Sequence, residues 1–448
     1  MRIKSDLPSV LKYHALVIES AARDAGLDFF DVIFELLDAE EVNSIAAYGG
    51  FPLRYPSWRF GMDFERLQKG YDWGLSKIYE LVINNEPTYA YLVRSNSLLE
   101  QKLVMAHVYG HADFFKNNVW FKGTDRRMLE TMGRHAARVA KLVDEQGQDR
   151  VERFMDLALS LEGLIDPYPP KRETGSRSES GAMLSERRLH ALLSFGNEDE
   201  PEPASARLEA EFPVADVLGF LMENAPLERW ERELLSIVRE EAYYFAPQRI
   251  TKVANEGWAC FWHSKLLTGG LLDASEIVDF ADTHAGATAA SPGQFNPYKL
   301  GLALWRHAER AGEDLFLMRR VHNDLSLINA VCDEEFVMRY HGVQPADERR
   351  AQEAGLHWTE WRDGLLAQLT NGGQPRIRVR SCETSAEAGL VLEHLHDGRD
   401  LQLVAAKATL QNVAKLWGRR VELHSEVDGK PVALVAEDGE VQQVELSA

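Results

Sequence analysis

Two histidines one helical turn apart are the residues of this chain best placed to do chemistry. His107 and His111 stand in LLEQKLVMAHVYGHADFFKNN. An i, i+4 pair shares one helix face, with the side chains roughly 6 Å apart along the axis. Two imidazoles so placed can converge on one tetrahedral metal ion. The competing reading is two histidines hydrogen-bonded within a helical core.

A second segment, NEGWACFWH, supplies what the pair lacks. It places Glu256 and His263 on another expected helix, beginning near Pro247, since proline is tolerated in a first turn. Their seven-residue spacing puts them on one face but roughly 10 Å apart along it, too far to share one ion. One of them can complete a site with His107 and His111 while the other lies beside it. Glu256 can be the ligand and His263 the acid–base group, or the reverse; spacing alone does not separate these. Glu100 lies about 13 Å along the axis from the pair, and Ser97-x-x-Glu100 reads as a capping box instead.

A short β-like segment, then an HxxxH helix, then a glutamate on a later helix resembles the order in zinc peptidases. In those enzymes the residue after the first histidine is the glutamate that acts as general base. Here it is Val108, so a base must come from elsewhere. Zinc is the expected ion and iron the alternative, since histidine with carboxylate suits both.

Other polar constellations lie outside these helices. RYPSWRFGMD brings Arg54, Trp58 and Arg59 together in a Pro/Gly-broken stretch, suited to gripping a carboxylate or sugar-like ligand, or to salt-bridged packing. FADTHAGATAASPGQFNPYKLG holds His284 at a helix end, followed by Asn296, Tyr298 and Lys299. It is expected to be a substrate-contacting loop with Tyr298 as a catalytic candidate; a dipole-favoured terminal histidine is the bland alternative. Walker A, GxGxxG, GxSxG and CxxC patterns do not occur.

The elements that must position these groups are mostly helices. Residues 7–48 and about 64–82 have helical periodicity, and Thr88–Val93 reads as a strand. Helices are expected over about 98–115, 125–143, 150–161, 213–272, 274–284, 298–340 and 346–369. Asn371-Gly-Gly-Gln-Pro375 is a break. Beyond it strands are expected at 377–380, 389–395, 401–405, 421–425, 432–436 and 441–446, with one helix at 408–417 and Asp-Gly turns at 397, 428 and 438. The expected architecture is α+β: a mostly helical main domain, zincin-like around the strand and HxxxH helix, plus a small C-terminal α+β domain. The parts are 1–165, a helical domain with the HxxxH helix; 166–206, an acidic flexible linker or insertion with one short helix at 184–193; 207–370, helices completing the same core; and 376–448, the α+β domain.

Composition bounds the function classes. Acidic residues outnumber basic ones 70 to 50, for a net charge of −20. That disfavours a broad nucleic-acid or anionic-membrane surface. Three separated cysteines, no signal-like N-terminus and no long apolar run point to a cytoplasmic protein.

The strings YPSWRFGMDFERLQKGYDWGLSKIYELVINNEPTYAYL, MAHVYGHADFFKNN, NEGWACFWH and NPYKLGLALW resemble the SpoVR family, the stage V sporulation protein R family, over nearly the whole chain. The resemblance implies a link to spore cortex formation or, in bacteria that do not sporulate, to another stress-related role. Gene neighbourhood in that family implies a PrkA-type serine protein kinase and a von Willebrand-A-like protein as partners. Three functions compete: a metal-dependent hydrolase of peptide or amide bonds, a non-catalytic adaptor for those partners, and an iron-binding regulatory or oxygen-handling protein.

Overall fold

The computed structural model describes residues 7–72, 80–168, 212–289, 295–342, 357–382 and 389–446. The expected short helix at 184–193, and almost all of the expected linker, lie outside them. The protein is α+β, with two compact units: residues 1–163, 228–375 and 396–399 in one, and 164–227, 376–395 and 400–448 in the other.

The first unit opens with α1 (Ser9–Asp24), β1 (Val32–Leu37), α2 (Ala39–Ala47), α3 (Trp58–Asp72), β2 (Glu80–Ile83) and β3 (Thr88–Val93). The three strands form one sheet in the order β1-β3-β2, with β1 parallel and β2 antiparallel to β3. Residues 32–37 and 80–82, expected as helix, are strands. VIFELL is too short for spacing to separate the two periods, so β3 decides by offering a backbone edge.

Next come α4 (Leu98–Asn117), α5 (Met128–Gln146) and α6 (Gln148–Leu159). Ser97 and Glu100 form the capping box that starts α4. From Gln101 to Phe115 every residue of α4 is buried. A helix buried all round is a core helix, and α4 runs through the main core cluster. In the second unit lies α7 (Val217–Asn224).

The first unit resumes with α8 (Arg229–Ile250), α9 (Lys252–Leu266), α10 (Ile277–Thr288), α11 (Pro297–Arg310), α12 (Leu315–Val321), α13 (Asp324–Val331), α14 (Glu334–Tyr340) and α15 (Trp358–Leu369). Pro247 lies inside the last turn of α8, not at the start of the glutamate-bearing helix. That helix, α9, starts after a break at Thr251, where the backbone leaves helical geometry. Asp324 caps α9 in trans, accepting from the amides of Val253 and Ala254 at 3.0 and 2.8 Å.

Glycines set how closely these helices approach. A Cβ on Gly110 would lie 2.7 Å from Cα of Ala259, and one on Gly257 2.3 Å from the carbonyl carbon of Gly301. So α4 meets α9, and α9 meets α11, almost backbone to backbone.

The second unit carries β4 (Ile377–Cys382), β5 (Leu390–His394), α16 (Leu403–Trp417), β6 (Val421–Val427), β7 (Lys430–Glu437) and β8 (Glu440–Glu445). The sheet runs in that order, with only the β5–β6 pair parallel. Asp428-Gly429 and Asp438-Gly439 turn the two hairpins with all four residues at positive φ, as such pairs do. Residues 403–405, expected as strand, are the first turn of α16. The Asp-Gly pair at 397 precedes that helix rather than joining two strands.

Candidate metal centre

The Gly110–Ala259 contact sets His107 and His111 opposite Glu256. Nε2 of His107 lies 3.4 Å and Nε2 of His111 3.3 Å from Oε2 of Glu256. These separations exceed the roughly 2.7–3.2 Å of a well-formed N–H···O hydrogen bond. They match the edge of a tetrahedron whose centre binds nitrogen and oxygen at about 2.0–2.2 Å, which is roughly 3.3–3.5 Å. One donor atom from each of the three side chains lies within 4.8 Å of the others, and all three residues are buried. Donor chemistry and spacing therefore fit one divalent ion.

The second nitrogen of each imidazole is held. Nδ1 of His111 lies 2.9 Å from Oδ1 of Asn255. Asn255 Oδ1 can only accept, so this contact puts the proton of a neutral His111 on Nδ1 and leaves the Nε2 lone pair facing Glu256. Nδ1 of His107 lies 2.9 Å from Nδ1 of His263, and Nε2 of His263 lies 2.9 Å from Nδ1 of His284. With the lone pair of His107 on Nε2, the three rings form one ordered run, each neutral ring donating to the next. Metal-binding histidines are oriented by a partner on the second ring nitrogen, a place that Asn255 and His263 take here.

Electrostatics favour the neutral form of the two outer rings, His263 and His284. Burial holds His263 well below the usual histidine range, helped by His107, His284 and Arg306. Burial, Arg306 and His107 lower His284 as well. For Glu256, burial favours the neutral acid, yet His111, His107 and Lys252 outweigh it and hold the carboxyl well below its ordinary value. Lys252 donates to Oε1 of Glu256 at 2.8 Å, which turns Oε2 toward the imidazoles.

The other residues singled out from the sequence are placed as follows. Tyr298 stacks on His107, ring centroids 6.2 Å apart and 28° between planes. Asn296 caps α11, accepting from the amides of Tyr298 and Lys299 and donating to the carbonyls of Ala287 and Ala289 at the end of α10. The Lys299 ammonium lies over the Tyr340 ring. Arg54, Trp58 and Arg59 engage other helices. Arg54 donates to Glu241 at 2.5 Å, a carboxylate that also accepts from Tyr55 and meets His135. The Trp58 indole donates to the Asp156 carboxylate and Arg59 to the Asp156 carbonyl.

Three neighbours of the centre escaped sequence reasoning. Asn255 and Lys252 lack the residue types that a search for ligands selects. Cys260 does have such a type: its sulfur and one nitrogen each of His107 and His263 lie within 4.8 Å of one another. Its signal was spacing, four residues after Glu256 and three before His263, and not a pairing with another cysteine.

Fold and centre together define an α+β protein with a buried two-histidine, one-carboxylate cluster between packed helices. Comparison with known proteins matches residues 6–374 to the family described as SpoVR like protein and 375–428 to the SpoVR-like C-terminal domain. The chain belongs to the SpoVR-like family. It is 29% identical over 479 residues to the uncharacterized protein YcgB of Escherichia coli strain K12, covering 95% of this chain and 94% of that protein. No solved structure matches. Among the described residues no helix is long and apolar enough to cross a membrane.

Proposed function

We propose that the chain is a metal-dependent hydrolase of peptide or amide bonds, with one divalent ion, zinc in the first instance, held by His107, His111 and Glu256. The observation that carries this reading is the tetrahedral spacing of two Nε2 atoms about Oε2 of Glu256. A zinc ion in such a place polarises a carbonyl and lowers the pKa of a coordinated water. Asn255 and His263 keep the two lone pairs aimed at the centre, and Lys252 fixes the carboxylate. His263 thus acts through His107, as a positioning residue. Tyr298, packed on His107, is the group to hold or deliver a proton beside the substrate, since Val108 has no ionisable group. Asn296 and Lys299 share the first turn of its helix. His284 at the outer end of the histidine run, and Arg54, Trp58 and Arg59 on their separate network, are candidates for substrate contact.

The donor set also favours a second reading. Two imidazoles and one carboxylate hold non-haem iron in oxygen-handling proteins. Elemental analysis of protein purified without added metal decides among the readings. Near-stoichiometric zinc, lost from the His107→Ala, His111→Ala double variant with its fold intact, supports the hydrolase. Iron in its place supports the oxygen-handling reading. No stoichiometric ion in the wild type ends both, and the adaptor of a PrkA-type kinase and a von Willebrand-A-like protein stands instead.

A further inference from the structure

The face of the three-stranded sheet opposite α4 carries a groove of about 780 Å³, within the range of small-ligand sites. Strand alternation builds its floor. On β1 and β3, Phe34, Ala90 and Leu92 point into the main core, so Glu35, Tyr89 and Tyr91 point the other way. Glu35 and Tyr91 are register partners across the β1–β3 pair. The N-terminal end of α2 adds Asp38, Glu40 and Glu41 to the lining.

Four carboxylates and two tyrosines therefore line the groove, and among the described residues no lysine or arginine joins them. Two of the four have structural duties. Asp38 pairs with Arg94 at 2.8 Å, and Glu41 accepts from the Asp38 amide to close a capping box. Glu35 and Glu40 have neither a cap role nor a cationic partner among the described residues. A charged residue in mid-strand on a half-covered face gives up β-propensity without a fold-level return.

Tyr91 supplies the independent sign. It is 2% exposed and lines the groove, and its hydroxyl has no hydrogen-bond partner among the described residues. Buried tyrosine hydroxyls ordinarily find one. The half-buried Tyr89 ring, the unpaired carboxylates and the Tyr91 hydroxyl together suit one chemistry: an ammonium group on an aliphatic stem, which takes cation–π contact from Tyr89, ion pairing from the acids and a hydrogen bond to the phenol oxygen of Tyr91.

We infer that this groove binds a linear aliphatic polyamine. The inference is independent of the metal centre. Calorimetric titration of the full chain with spermidine at about 0.15 M salt tests it, with a tri-lysine peptide as the second probe. The wild type should bind spermidine saturably, one per chain. Glu35→Gln and Tyr91→Phe should each weaken binding about tenfold or more, the loss of one charge-assisted hydrogen bond. Glu40→Gln, on the helix surface, serves should a strand variant fail to fold. Glu360→Gln, a surface acid on α15, should leave binding unchanged. Absence of saturation, or an equal loss in Glu360→Gln, would show diffuse attraction to a chain of net charge −20 and overturn the site. Tighter binding of the peptide would keep the ammonium chemistry but overturn the free polyamine as its source.

Discussion

At the residue scale, the groups behind the imidazoles matter as much as the imidazoles. Asn255 and His263 meet the second nitrogens of His111 and His107. If those contacts orient metal-binding rings, Asn255→Ala and His263→Ala should each lower metal affinity by about 10- to 100-fold while circular dichroism stays unchanged. A chelator competition titration measures this, and unaltered affinity in both variants would separate these contacts from metal binding. Much of the centre could be read from the sequence because helical spacing is a rigid ruler: His107, His111, Glu256 and His263 all stand in it or against it. The choice between Glu256 and His263 was not legible, because it depends on where along α9 the crossing with α4 falls. Gly110 and Ala259 fix that crossing, and neither is a residue type that signals chemistry. Cys260 carries no cysteine-pair signal in the sequence, because its neighbours in the fold are His107 and His263.

At the element scale, the close crossings carry the geometry. Gly257→Ala and Gly301→Ala would each push a Cβ to within 2.3 and 2.1 Å of backbone atoms on the facing helix. Neither backbone can step aside without moving α9 relative to α11, so each should destabilise by about 1–3 kcal/mol or more in chemical denaturation and reduce metal content as well. Gly286→Ala is the control. Nothing lies within 4 Å of its Cβ position in α10, and removing a helical glycine there should stabilise by about 0.5–1 kcal/mol. Equal effects at Gly257 and Gly286 would mean the crossing tolerates a methyl group.

The trans cap of α9 gives a pH dependence. Burial pushes Asp324 up to about 7, against the lowering effect of the Ala254 and Val253 amides. The unfolded chain releases this proton near pH 4, the folded chain near 7, so between these values the folded state binds more protons. Its contribution to stability is therefore complete below about pH 4 and is lost as pH rises through 7, amounting to a few kcal/mol on the order of the shift. Asp324→Asn, which cannot titrate, should flatten that slope in denaturation midpoints measured from pH 4 to 8. An unchanged slope would assign the pH dependence to other groups. This cap was hidden in the sequence, since Asp324 is about seventy residues from the amides it holds.

At the scale of the whole molecule, the question is what the break at 371–375 divides. Asn371, Gly372 and Gly373 all have positive φ, which reverses the chain after α15, and the two family matches meet at 374/375. Yet the second unit draws on earlier sequence. Val214 pairs with Val379 by two backbone hydrogen bonds, and Phe220 of α7 stacks on Trp417 of α16 with ring centroids 6.0 Å apart. Val217, Leu218, Phe220 and Leu221 are all buried. A separate C-terminal α+β domain is thus proposed in a form that includes α7. The helical spacing of residues 217–224 was readable; their partners were not, because a strand and a helix more than 150 residues later supply them. Trp417→Ala should accordingly cost the second unit about 3–5 kcal/mol while leaving metal content at His107, His111 and Glu256 untouched. A chain ending at Pro375 should do worse, since it leaves the apolar face of α7 uncovered, and should bind a hydrophobic dye and self-associate in gel filtration. Monomeric, dye-silent behaviour of that truncated chain would return the boundary to residue 375 and assign α7 to the first unit.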